Sequence, residues 1–191
     1  MAISLLAWRP WRVHVGVTVI ELMVTLAIAV VMLTVAVPGF TSFMADNRRV
    51  GQANQVVGML NMARSEAIKR GVRVTICKTS DPYASSPVCV PTATWGQGWV
   101  LFVDRIHIPG NPMGVVDVGD EILRVWSPDP EITLTTGGNY ARGLYYDAGG
   151  AIRGINASGN RAAGNDTFDI ASGGVKLCVV TNRQGRTTMR K

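Results

Sequence analysis

Between Arg12 and Asp46 the chain carries a single charge, Glu21, at the front of an otherwise apolar run, HVGVTVIELMVTLAIAVVMLTVAVPGF (residues 14–40). Residues 22–40 hold no charge, and the charge-free stretch continues to Ala45. About 20 residues of helix cross a bilayer, so the run is long enough to span one. Arg9 and Arg12 precede it, which places the short leader in the cytoplasm and the bulk of the chain outside. A lone carboxylate in hydrocarbon costs about 2.5–3.5 kcal/mol on insertion scales. An ordinary signal peptide, cut near Ala27-Ile28-Ala29 or Pro38, has no use for a carboxylate inside its apolar core, and neither has a simple signal-anchor. Glu21 needs another reason to be there.

The string Gly16-Val17-Thr18-Val19-Ile20-Glu21-Leu22-Met23-Val24-Thr25-Leu26-Ala27-Ile28 resembles the class III signal of type IV pilins and pseudopilins. The resemblance implies that a prepilin peptidase on the cytoplasmic side cuts between Gly16 and Val17, and that the new amino terminus at Val17 is methylated. Phe is the family's usual first mature residue; Val17 departs from it while staying apolar. Glu21 becomes the fifth mature residue. In a filament, where such helices leave lipid and pack together, its carboxylate pairs with the N-terminal amine of a neighbouring subunit and sets axial register. The competing reading is a charge that merely snorkels to the interface. Pro38 falls where pilins commonly place a helix-kinking proline.

Beyond Pro38-Gly39 the pattern stays helical, with Ala53, Val57, Leu60, Ala63 (or Arg64) and Ala67 recurring at three- and four-residue spacing. Gly71, after Lys69 and Arg70, stops it. A helix from Val17 to Arg70 is roughly 80 Å long at 1.5 Å per residue. Its first half is apolar all round; its second has one apolar face that needs a sheet to cover it. The bases Arg48, Arg49, Arg64, Lys69, Arg70 and Arg73 read as a solvated face. Further on, VRVTIC, WVLFVD, EILRVW, ITLTT, LYYD, TFDI and VKLCVV are short β-like runs separated by Gly, Pro, Asn and Asp.

Charge divides the 191 residues unevenly. Residues 1–75 carry a net +5, residues 76–175 a net −4, and the last sixteen +5 with no acid. The basic tail is therefore a local feature on an acidic body. Cys77 and Cys89 flank the turn-rich DPYASSPV and read as a disulfide-closed loop if the domain is extracytoplasmic. Closing it is worth roughly 3 kcal/mol in the chain-entropy model. Cys178, within VKLCVV, reads as a buried thiol.

WGQGWVLFVD (95–104), DVGDEILRVW (117–126), SEAIKRGVRVTICK (65–78) and GLYYDAGGAIR (143–153) resemble the GspH/FimT branch of the pseudopilins. That branch contains minor subunits of type IV pili and the minor pseudopilin of type II secretion. The implied fold is α+β: a long N-terminal transmembrane helix packed against a C-terminal antiparallel β-sheet or β-sandwich head. Residues 1–16 form the leader, 17–44 the transmembrane and assembly half of the helix, 45–71 its amphipathic half, and 72–191 the head.

The inventory of chemistry is sparse. Asp104, Asp117, Asp120 and Glu121 lack the spacing of a calcium loop and read as a solvated turn, so no metal is expected. The only histidines are His14 and His107, and no nucleophile, zinc or phosphate-loop motif occurs. No enzyme activity and no cofactor are expected. WGQGW reads as strand-and-turn packing.

In the tail, TNRQGRTTMRK, a strand after Gly185 puts Arg186, Thr188 and Arg190 on one side, with Arg183 and Lys191 nearby. Such a row either protects a sheet edge with charge or contacts phosphates without reading bases. The FimT resemblance implies the second, through a Gly-Arg-x-Arg motif. Gly185 and Arg186 match it, whereas Thr188 stands at the second Arg position and Arg190 one pleat further on.

The expected protein is a minor type IV pilin in the bacterial inner membrane with a periplasmic head, reaching the pilus after assembly. Its expected partners are the prepilin peptidase, other pilins, the membrane and double-stranded DNA. A minor pseudopilin of type II secretion is the alternative.

Overall fold

The computed structural model describes residues 16–105 and 113–190, apart from the side chains of Val35 and Pro38. The leader through Val15, His14 and His107, most of the IHIPGNPM loop and Lys191 lie outside the described residues. The chain divides into two compact units at Thr41/Ser42.

Helix α1 spans Val19–Arg70, starting two residues later than the sequence suggests. In the first unit its apolar side chains are exposed: Val19, Ile20, Leu22, Met23, Val31, Met32 and Phe40 are all more than half accessible. Among the described residues this is the one helix long and apolar enough to cross a membrane. Side chains of this kind left bare in water forfeit about 1.5–3 kcal/mol each, which a lipid or protein environment returns.

Among the described residues, the second unit holds the rest of α1 and ten strands. Strands β1 (Arg73–Lys78), β2 (Trp99–Asp104), β3 (Glu121–Trp126), β5 (Gly143–Tyr146), β6 (Ile152–Ile155) and β7 (Arg161–Ala162) form one antiparallel sheet in the order β3-β2-β1-β5-β6-β7. Strands β4 (Thr133–Thr136), β8 (Asp166–Ser172), β9 (Val175–Thr181) and β10 (Thr187–Arg190) form a second, ordered β10-β9-β8-β4. Ala53, Val56, Leu60, Ala63 and Ala67 of α1 are fully buried in a single core with residues of both sheets, including Ile76, Trp99, Leu144, Phe168 and Val179. Val56, Met59 and Leu60 supply the larger side chains of the helix to this core, beside the three alanines.

Tyr140 joins the two sheets through a short 3-10 turn (Gly138–Tyr140). Its hydroxyl lies 2.8 Å from the Gly164 carbonyl and 2.6 Å from Thr181 Oγ1, while its main-chain carbonyl accepts a hydrogen bond from Trp95 Nε1. Burial pushes the Tyr140 phenol well above its ordinary range, so it stays a neutral donor. The WGQGW segment thus packs the core. A smaller cluster forms on the outer face of β1 and β2, where Cys77, Val100 and Phe102 are covered by Cys89 and Val116. The Cys77–Cys89 disulfide and the hydrogen bond from Val90 N to Lys78 O hold that cover down.

The basic face expected of α1 is solvated only in part: Arg48 and Lys69 are exposed and Arg64, Arg70 and Arg73 half-buried, and the exception is Arg49. Arg49 is buried; its guanidinium donates to the carbonyls of Ser172 (2.6 Å) and Val175 (3.2 Å) and pairs with Asp46. Arg70 pairs with Glu66 and Glu121, Arg73 with Asp104, and Arg48 approaches Asp129 and Glu131. These bases border the buried stripe, where loop carbonyls and head carboxylates lie within reach of a long side chain. The same pairs account for Asp104 and Glu121, while Asp120 accepts from the main-chain amides of Arg105 and Asp117.

Cys178 also differs from expectation. It is half-buried, because β9 alternates and Leu177, Val179 and Thr181 take the inner positions. Burial and then the Asp169 carboxylate raise its pKa, so the thiol is a poor nucleophile.

Replacing Arg49 with Met keeps the stem but strands two carbonyls and Asp46. We expect a loss of about 2–4 kcal/mol, read as a lower urea midpoint with unchanged m-value.

Candidate functional site

Two regions carry the residues singled out by the sequence: the start of α1 and the β9–β10 hairpin. At the first, Gly16 and Val17 are exposed and precede the helix. Thr18 caps it, its Oγ1 accepting from the Glu21 amide at 3.3 Å, while its carbonyl accepts from Leu22 N at 3.1 Å. Thr18-Val19-Ile20-Glu21 has the spacing of a capping box, a signal that fixes where the helix begins and was legible in the sequence. Glu21 sits in the first turn, where a negative charge opposes the positive end of the helix dipole. It is exposed and leaves a carboxylate on an otherwise apolar surface. Pro38 lies within α1, with no break in the helix there.

At the second region, the turn Asn182-Arg183-Gln184-Gly185 is built from local chemistry. Asn182 Oδ1 accepts from the amides of Gln184 (3.1 Å) and Arg186 (2.9 Å), and its carbonyl accepts from Gly185 N at 2.9 Å. Gly185 has φ +77°, and a Cβ there would approach Tyr146 Cε1 to 2.8 Å and the Gly150 carbonyl to 3.0 Å. Glycine is required twice over, by conformation and by space. The turn is thereby pressed onto the head, leaving Arg183 and Arg186 exposed.

The tail strand is narrower than its sequence suggests. β10 starts at Thr187, so Arg186 belongs to the hairpin's approach. Thr188 pairs with Val180 and Arg190 with Cys178, which puts both on the outer face of the four-stranded sheet. β10 is that sheet's edge strand, and Thr188, Met189 and Arg190 are all exposed. Asp169 stands opposite Cys178 on β8, two strands in from Arg190 on the same face. The sequence, with no acid in the tail, does not show this neighbour. Lys191 lies outside the described residues. Among the described residues, no group of three His, Cys, Asp or Glu side chains is placed to hold a metal ion.

An apolar helix of membrane length that continues into an antiparallel β head defines a pilin-like subunit. The family model described as "Type II transport protein GspH" matches residues 52–185, well over half of the chain. The chain therefore belongs to the GspH family and is a minor pilin or pseudopilin. Two crystal structures of the Pseudomonas aeruginosa (strain PAO1) type IV minor pilin FimU are similar to it. The P65 form is 20% identical with TM-score 0.47, covering 74% of this chain and 91% of that one. The P21 form is 21% identical with TM-score 0.49, covering 78% and 92%. No curated protein sequence matches the chain significantly.

Gly185→Ala is expected to cost about 1–3 kcal/mol through the left-handed conformation alone. Loss of protection of the Arg186 amide in hydrogen exchange would register it before global unfolding does.

Proposed function

We propose that this chain is a minor type IV pilin. It inserts as a prepilin in the inner membrane with its head in the periplasm and is cut between Gly16 and Val17. Methylated at Val17, it joins the initiation or tip complex of a pilus through helix–helix packing with other pilins. The observation that carries this reading is the exposed carboxylate of Glu21, in the first turn of a helix whose other described side chains in the first unit are exposed and mostly apolar. Paired with a neighbour's terminal amine, Glu21 escapes the cost of an unmatched charge in hydrocarbon, and that preference sets register. The role is structural, with no chemistry of its own. Membership of type II secretion as a minor pseudopilin is the second reading, supported by the description of the matching family.

Mass spectrometry of the exported chain tests the processing step: the amino terminus should be N-methylated Val17, and a start beyond Phe40 would mean an ordinary signal peptide. Glu21→Ala should be trimmed normally yet remain in the membrane fraction and be missing from sheared pili. Its normal incorporation would remove the register role.

We further propose that the exposed bases of the hairpin and β10 contact double-stranded DNA. Arg183, Arg186, Thr188 and Arg190 make a phosphate-contacting surface, to which Lys191, outside the described residues, adds its charge, and such contacts read no sequence. Fluorescence anisotropy of a labelled duplex, titrated with the full chain in non-ionic detergent, measures this. The four tail bases alone contribute a slope of log affinity against log salt of about −3.6, at about −0.9 per phosphate. Arg186→Ala with Arg190→Ala should halve that contribution. A wild-type chain that leaves the duplex unbound at low salt removes the DNA role and leaves the pilin reading intact.

A further inference from the structure

A cleft of about 310 Å³ opens beside the hairpin, lined by Arg153, Arg161, Ala162, Ala163, Gly164 and Arg183. Half of those residues are arginines and none is acidic. Arg153 is on β6 and Arg161 on β7. Since Arg161 stands opposite Ile155, the two bases are diagonal neighbours on one face of the six-stranded sheet. Arg183 comes from the other sheet's hairpin, through the turn that Asn182 and Gly185 lock.

None of the three arginines forms an ion pair among the described residues. Arg153 Nε is buried without a hydrogen-bond partner, and its Nη1 makes only a long 3.4 Å contact to Ile152 O. The carboxylates on adjoining segments are occupied. Asp147 Oδ1 accepts from the amides of Gly149 and Ala151, and Asp166 accepts from those of Tyr140 and Thr167. Three guanidiniums crowded together repel one another, and a buried N–H without an acceptor costs free energy. An anion in the cleft relieves both. The planar fork of arginine suits phosphate oxygens in particular.

The cleft does not end in a wall of neutral surface. Arg183 is both its lining and the first base of the hairpin, so positive charge continues through Arg186 to Arg190 on the β10 edge. A small oxyanion fills the cleft alone; an extended polyanion engages the cleft and edge together. We propose that the Arg153–Arg161–Arg183 cleft is a phosphodiester-binding site, in which a DNA backbone is gripped before it runs out along β10. This rests on the DNA reading above and adds two contacts, from Arg153 and Arg161, that the tail does not supply.

The test is the salt dependence of duplex binding by the full chain in non-ionic detergent. With cleft and tail engaged, the slope should be about −5.4, and Arg153→Gln with Arg161→Gln should return it to about −3.6. Arg161 is exposed, so Arg161→Gln alone should spare the fold while making the slope shallower by about 0.9. Arg105→Gln with Arg124→Gln removes the same charge at the β3 end of the six-stranded sheet, the edge opposite β7, and should leave the slope unchanged.

A slope unmoved by the cleft variants but reduced by Arg186→Ala with Arg190→Ala overturns the cleft and keeps the tail. A slope moved equally by the Arg105 and Arg124 pair means general charge attraction and also overturns it. No binding by the wild type removes both. Inorganic phosphate shifting the Arg153 Nε–Hε resonance, with DNA binding insensitive to Arg153 and Arg161, marks a small-anion site and overturns the proposal.

Discussion

Burial of one stripe of α1, from Ala53 to Ala67, between two antiparallel sheets is the constraint on which the head depends. Neither sheet closes on itself, and both present an apolar inner face that needs the helix. Around the border of the stripe, Arg48, Arg49, Arg70 and Arg73 reach carboxylates and carbonyls of the head. Surface pairs of this kind are worth little singly. Arg49 is different, because its guanidinium is buried and donates to two main-chain oxygens at the β8–β9 turn.

The same helix faces two environments. From Val19 to Phe40 every described side chain is exposed, and most are apolar. From Gln52 onward the periodicity of 3.6 appears and the apolar side chains turn inward. A sequence apolar on all sides cannot be satisfied by a single sheet on one face. Membrane anchoring and helix-to-helix assembly are the two ways such a surface is covered, and a pilin-like subunit uses them in succession.

Much of this was legible in the sequence because it lies in periodicities. The long helix, its stop at Gly71 and seven of the strands follow from apolar spacing and turn residues, and the family from its strings of motif residues. What was not legible depends on pairing at a distance. β6 reads IRGI, with an Arg and a Gly that obscure any alternation; Gly154 is there because a Cβ would strike the Asn139 and Ala163 carbonyls. β7 is two residues long and exists only through its partner. Arg49 read as solvated because the carbonyls it donates to come from residues up to 126 positions away. Cys178 read as buried because VKLCVV is apolar but for Lys176, whereas alternation puts its thiol on the outer face.

The basic surface shows the same limit most clearly. In the chain, Arg153, Arg161 and Arg183 are 8 and 22 residues apart and form no run. Sheet order brings the first two together, and the Asn182–Gly185 turn brings the third across from the other sheet. Charge density on a folded surface is thus set by topology as much as by composition. The tail stands out because its bases lie close in the chain with no acid among them, but a strand edge alone offers an anion only one side of contact. A cleft lets guanidiniums from both sheets approach the same anion from more than one side. The hairpin glycine therefore matters beyond its own strain. By letting the turn lie flat on Tyr146 and Gly150, it brings Arg183 to the cleft and joins what would otherwise be two separate patches into one continuous surface.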